Sequence, residues 1–494
     1  MKIIYKIILT AGIFLGLASC SNREDGMATE NEVNDFVWSG LNSWYYWQPN
    51  VPNLADGFKT SAQYSSFISN KNPDSFFYSI LYNYPITDRF SWIVSDVDEL
   101  LQSFSGISKS SGMDSDLFYK DAAKFGIVGI VNYVVPNSPA ALAGIKRGDV
   151  ISGVNGSDLN VNNYTALFSD QFTPIIASTV NVAADGTVTT SGVAKNPNIM
   201  STVLEENPVA YYQNYSLAGK KIGYLVYNGF KSNFNDELNG AFAQMKTDGV
   251  TDLVLDLRYN GGGSVETATA LGQMITGQFT GNPYVSLEFN GKHAQYNSTE
   301  NLKTTFSTYA YTNGNLVSTG TQTANSLNLN KVYILTSSGT ASASELTIGG
   351  LKSYITVVTV GSETYGKFVG SVTLYDSPAQ DFISYENRNK SHKWAMQPIT
   401  FAYFNGNHSP HPSGGFVPDY GVSPKTDFGN LKEFGDYAHD SSLKKALELI
   451  SGQTLKGIWS PGIAQNPDEF VGNRRTLKQF GTEMYIQEVE KLKR

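Results

Sequence analysis

Serine hydroxyls crowd one short stretch, "SSGTASASELTIGG", where Ser337, Ser338, Ser342 and Ser344 follow the apolar β-forming run "KVYILT". A serine at the end of a buried strand and the start of a helix can act as a nucleophile if a base stands beside it. The same small residues also suit a tight turn. An imidazole is the usual base, but His293, His392, His408, His411 and His439 all read as surface or loop residues. No G-x-S-x-G elbow and no H-E-x-x-H string is present. Lysine is the other candidate. Lys367 lies in "GSETYGKFVGSVTL", between Tyr365 and Phe368 and bracketed by Gly366 and Gly370. An ordinary lysine is almost wholly protonated at neutral pH, with a pKa near ~10.4. Burial in such an apolar loop lowers that value and makes the amine a general base.

The elements that would hold these residues alternate in type. "KIGYLVYNGF" reads as a strand, "NDELNGAFAQMKTDGV" as an amphipathic helix stopped by Gly249, and "TDLVLDLRY" as a buried strand. "NGGGSVETATALGQMITG" is a glycine turn running into a helix, and "KVYILT", "SASELTIGGLKSY" and "ITVVTVG" give strand, helix and strand. Alternation of this kind predicts a largely parallel sheet covered by helices. Ligand sites in such sheets lie beyond the carboxyl ends of strands. Both "NGGG" and the serine cluster stand at such ends.

Upstream, residues 102–190 change to short strands and turns around "FGIVGIVNYVVPNSPAALAGIKRGDVISGVNG". A strand ends at Pro136, a short helix starts at Ser138 and stops at Gly144, and a hairpin turn falls at 154–156. The order resembles a PDZ domain of the bacterial protease type, which implies capture of an extended peptide by strand addition. Residues 33–101 are rich in Trp and Tyr and read as two or three short helices broken at "NPDS" and "YPITD". Residues 185–220 read as a linker with one strand, and 456–494 as a loop followed by a charged helix, "RTLKQFGTEMYIQEVEKLKR".

Ser342 and Lys367 lie 25 residues apart, a span of one helix and one strand. Here the text resembles the carboxyl-terminal processing peptidases, or tail-specific proteases. The matching strings are "SASE" (Ser342–Glu345), "YGK" (Tyr365–Lys367), "DLRYNGGG" (Asp256–Gly263), "KIGYL" and "FVPDYGV". The resemblance runs from about Val33 to Gly452. It implies a serine endopeptidase with Ser342 as nucleophile and Lys367 as base, and a crotonase- or Clp-protease-like α/β core. It needs no metal and no organic cofactor. The oxyanion donors it implies are the amide of Ala343 and one from Gly262 or Gly263. Asp256 and Arg258 read as supports of the glycine turn. The family's usual third residue is missing. Ser353 stands where some members have an aspartate and Thr373 where others have a glutamine, so both are candidates to orient the lysine. The domain expectation is therefore a multidomain α+β chain: a helical domain at 33–101, a PDZ domain at 102–190, a Ser/Lys peptidase domain at 191–455 and a tail at 456–494.

The chain has 494 residues, 13% aromatic and 16% charged, a core-rich composition too long for one core. A net charge of −8 without a basic stripe argues against nucleic acid as partner. Lys2 and Lys6 precede the apolar run "IILTAGIFLGLA", which ends in "LASC". This resembles the lipobox of bacterial lipoproteins and implies cleavage of residues 1–19, lipidation of Cys20 and a polar tether over 20–32. The mature chain would carry 34 basic and 44 acidic residues, a net −10. Cys20 is the sole cysteine, so no internal disulfide forms and no thiolate metal site exists. The implied setting is the cell envelope, anchored at the outer membrane and facing the periplasm or the exterior. Partners would be protein or peptide substrates held in the PDZ groove. A second reading comes from the aromatic stretch at 38–47: a lapsed enzyme that binds glycans or peptides by stacking. The sequence leaves the oligomeric state open.

Overall fold

The computed structural model describes residues 27–312, 315–412, 414–457, 469–477 and 481–486. The leader, Cys20 and the last residues of the expected tail helix lie outside them.

The central element is a six-stranded sheet in the order Val209–Leu217, Lys220–Tyr227, Asp252–Asp256, Lys331–Thr336, Thr356–Gly361, Tyr420–Gly421. Every pair is parallel except the first, an antiparallel hairpin at one edge. Side chains alternate across it as strand geometry requires. Leu225, Tyr227, Leu253 and Leu255 face one core with helices Asn235–Asp248, Val265–Thr276 and Ala343–Lys352. Ile222, Tyr224, Val226 and Val254 face a second core under helix Ser441–Ser451. Both faces are covered, so the strands read as nearly continuous apolar runs.

A second, mixed sheet flanks the first in the order Gly263–Ser264, Met484–Tyr485, Val369–Ser371, Ile399–Asn405, Pro283–Phe289, Ser298–Asn301. The segment expected to be a PDZ domain forms an antiparallel sheet in which Ile127–Val134, the short helix Pro139–Leu142 and Val150–Val154 fall where the sequence puts them. Its edges are Val188–Lys195 on one side and Phe470–Asn473 on the other. Arg147, buried, ties this sheet to the core: its guanidinium donates to Tyr259 Oη at 2.9 Å and to Asp440 Oδ2 at 3.0 Å.

Three expectations change. Residues 185–220 hold four strands rather than a linker with one, because "VTTSGVA" and its neighbours form half-exposed edges whose polar faces mask the strand pattern. The charged tail helix is reduced, among the described residues, to one turn at Arg474–Leu477. Beyond it Gly481 breaks the pattern, and burial of Met484 and Tyr485 draws the chain into a strand. Trp38, Trp44 and Tyr45 are at most 2% exposed, so most of the aromatic stretch is core of the helical region, with Tyr46 and Trp47 partly buried.

Candidate active site

Ser342 sits at the junction of strand Lys331–Thr336 and helix Ala343–Lys352, with φ 63° and ψ −116°. A non-glycine residue held there stores roughly 1–3 kcal/mol of strain, and such positions concentrate at functional sites. Its hydroxyl is buried and makes no hydrogen bond among the described residues. Ser344, two residues on, donates its hydroxyl to the Asn260 carbonyl at 3.0 Å and is thereby committed to structure.

One carboxylate organises the turn. Glu345, fully buried, accepts the Ser342 amide at 2.8 Å and the Lys367 amide at 2.9 Å on one oxygen. On the other it accepts the Gly366 amide at 2.7 Å and the Thr364 hydroxyl at 2.5 Å. Burial pushes its carboxyl up, and these four donors pull against that shift. Glu345 thus fastens the "YGK" loop to the serine turn. Sequence reasoning assigned it no role, although S-x-x-E at a helix start is a capping signature.

Lys367 is buried, and desolvation lowers its pKa against the raising influence of Glu483, Asp88 and Glu345. Its amine donates to the Thr482 carbonyl at 2.5 Å and stands 5.7 Å from the Phe90 ring centre. Asp88 and Phe90 come from the helical domain, and Arg89 donates to the Tyr365 carbonyl at 3.0 Å. These contributions from the first domain carried no signal in the sequence.

The glycine turn faces the serine. Asn260 braces it, donating to the Tyr227 carbonyl and accepting the Gly262 amide, each at 2.9 Å. Gly262 therefore has its N–H engaged. Gly263 donates instead to the Glu483 carbonyl at 2.5 Å. A Cβ on Gly262 would collide with that same oxygen and stand 2.7 Å from Ser342 Cβ and 3.0 Å from the Ala343 amide nitrogen. Ser342 Cβ, the Ala343 amide nitrogen and the Glu483 carbonyl oxygen thus crowd the space that a side chain on Gly262 would fill, and the Gly263 amide donates to that oxygen. Of the two glycines, Gly263 has the amide aimed at it.

Neither orienting candidate hydrogen-bonds the lysine amine among the described residues. Ser353 ends the serine helix, about 16 Å along its axis from Ser342 at ~1.5 Å per residue. Thr373 accepts a hydrogen bond from Gln397 at 2.5 Å. Arg258 donates to Asp256 at 2.7 Å and to Asp440 at 2.7 Å, a buried brace beneath the turn, as expected of the pair. Two histidines depart from the surface reading. His293 stacks on Trp44 at 3.6 Å, and His411 packs against Gly349 of the serine helix. Burial holds His411 neutral, with its pKa down to about 4.

A cavity of about 510 Å³ opens beside this point, between the PDZ-like sheet, the glycine turn and the tail. Lys231 lines it, its pKa lowered to about 8 by burial.

Residues 221–420 match Peptidase family S41, residues 32–92 the peptidase S41 N-terminal domain and residues 130–167 a PDZ domain. A CtpA-like serine protease of Staphylococcus aureus (strain bovine RF122 / ET3-1) is 28% identical over 244 residues, 49% of this chain and 42% of the relative. The counterpart in strain MRSA252 is 24% identical over 373 residues, 74% of this chain and 62% of the relative. The chain thus spans 42% and 62% of the length of these two relatives. The crystal structure of a protein from Bacteroides fragilis NCTC 9343 assigned as an S41 protease superposes with TM-score 0.63 at 25% identity, covering 84% of this chain and 97% of that one. The three matched stretches keep one order along the chain, and the longest holds the serine turn, the lysine loop and the glycine turn together. Residues 221–420 thus carry a Peptidase family S41 domain, preceded by a stretch that matches the family's N-terminal domain and by a PDZ match.

Proposed function

We propose that the chain is a serine endopeptidase in which Ser342 is the nucleophile and Lys367 the general base. The placement of Ser342 at a strained strand–helix junction, beside the Ala343 amide and packed against the Gly262–Gly263 turn, carries this reading. A scissile carbonyl at that point would be attacked by Ser342 Oγ, and its developing oxyanion would meet two fixed N–H donors. Lys367, its amine made more readily neutral by burial, would take the hydroxyl proton and pass it to the leaving amine. Thr373 and Ser353 have no part in this scheme.

Substrates would be proteins or peptides. The PDZ domain would hold an apolar C-terminus, and the cavity beside Gly262 would lead the chain to the serine. The "LASC" string supports cleavage before Cys20 and a lipid anchor at its thiol, which would hold the enzyme in the cell envelope at the outer membrane. The division into helical, PDZ and peptidase domains follows the same reading.

The test is cleavage of an unfolded protein such as reduced casein by wild type and by Ser342→Ala. The wild type degrades it and the variant does not. Equal rates for the two would remove Ser342 from its role.

A further inference from the structure

The cleft is occupied by the chain itself. Tail residues Gly481–Ile486 run between the glycine turn and the lysine loop. Met484 and Tyr485 pair in parallel with Gly263 and Ser264, and Tyr485 also pairs in parallel with Ser371. The glycine turn is shaped to this segment. A Cβ on Gly261 would strike the Gly481 carbonyl, and one on Gly262 the Glu483 carbonyl. On the far side, Ser371 donates its hydroxyl to the Met484 carbonyl at 3.3 Å, and the Tyr485 ring stacks on Phe104 at 4.0 Å. Met484 and Tyr485 are at most 1% exposed.

The main chain of the tail takes the positions a substrate would need. The Glu483 carbonyl oxygen accepts the Gly263 amide and, with Ser342 Cβ and the Ala343 amide nitrogen, borders the space that a side chain on Gly262 would fill. One residue earlier, the Thr482 carbonyl accepts the Lys367 amine. A strand that merely completed the sheet would have no need to place one carbonyl on the candidate oxyanion donor and the next on the candidate base.

We propose that the chain cleaves its own Glu483–Met484 bond, and that until it does so the tail excludes other substrates from the cleft. This rests on the peptidase reading given above. Ser342 Oγ attacks the Glu483 carbonyl carbon and its proton moves to the neutral Lys367 amine. The Glu483 C–N bond breaks, and Lys367 returns the proton to the departing Met484 amine. Water then hydrolyses the Glu483 ester, giving a Glu483 carboxyl end and the restored serine hydroxyl. The step needs no oxidant, metal or second substrate beyond water.

Intact-mass analysis and N-terminal sequencing of the purified full chain decide the matter. Wild type is expected to end at Glu483 and to release a segment beginning with Met484, while Ser342→Ala, with an unchanged thermal melt, keeps its tail. Hydrolysis of casein by freshly made wild type should rise in step with tail loss, with a lag independent of enzyme concentration. A wild type that digests casein while its own C-terminus stays intact overturns the proposal and leaves the peptidase reading standing. Cleavage at another bond, or loss of the Ser342→Ala tail when mixed with wild type, overturns it as well. A wild type that cuts neither casein nor itself overturns both readings.

Discussion

Lys367 has lost most of its hydration, and that decides what its amine can do at working pH. Burial lowers its pKa, while Glu483, Asp88 and Glu345 raise it by a smaller amount. The active form is the neutral amine, which is populated above the folded-state pKa and lost as pH falls through it. The acid limb of kcat/KM on an unfolded substrate should therefore have its midpoint below the ordinary lysine value of 10.5. Lys367→Ala should lower kcat by ~10²–10⁴ and abolish that limb. Lys367→Arg should be equally inactive across the pH range, because a guanidinium does not release its proton. A pH–rate profile of the three proteins checks this. A Lys367→Ala enzyme with most of its activity would exclude the lysine.

At the scale of elements, the helix Ala343–Lys352 and the loop at Thr364–Lys367 share one carboxylate. Both Glu345 oxygens are filled by donors, two on each. In Glu345→Gln an NH₂ group must face two of those donors. Each buried donor left unmet costs ~1–3 kcal/mol, so a loss of at least ~2 kcal/mol is expected. Urea unfolding should show it, and kcat should fall with it because the serine and lysine strings lose their common anchor. An isostere that unfolds like wild type would mean the loop is held by other contacts. Glu345 was readable in the sequence as the end of a capping box. The choice between Gly262 and Gly263 was not, since it turns on the Asn260 side chain taking the Gly262 amide.

At the scale of the molecule, the PDZ-like sheet and the core meet at one buried ion-pair network. Arg147 of the PDZ domain and Arg258 of the core share Asp440 at 3.0 and 2.7 Å. The two guanidinium groups hold the Asp440 carboxyl well below its usual range. Arg147→Ala removes one cation and leaves a hole beside Phe434, over which the guanidinium lies at 4.2 Å. Removing one partner of a buried pair costs ~3–5 kcal/mol, with the low end expected because Arg258 still pairs with Asp440. The PDZ domain should then unfold in a separate, earlier denaturant transition, and Arg147→Lys should not restore it because an ammonium cannot make both contacts. A single unchanged transition would show that the domain is held by its other contacts.

Local text carries the strand–helix alternation, the serine turn, the glycine turn and the lysine loop. Each depends on residues within a few positions of one another, where periodicity and small-residue spacing act directly on the backbone. Tertiary structure alone brings Asp88 and Phe90 to Lys367, stacks Trp44 on His293 and lays Gly481–Ile486 along the glycine turn. Those contacts join segments more than a hundred residues apart. They arise from burying apolar faces such as Met484 and Tyr485 against distant strands, and no local pattern encodes which distant strand will receive them.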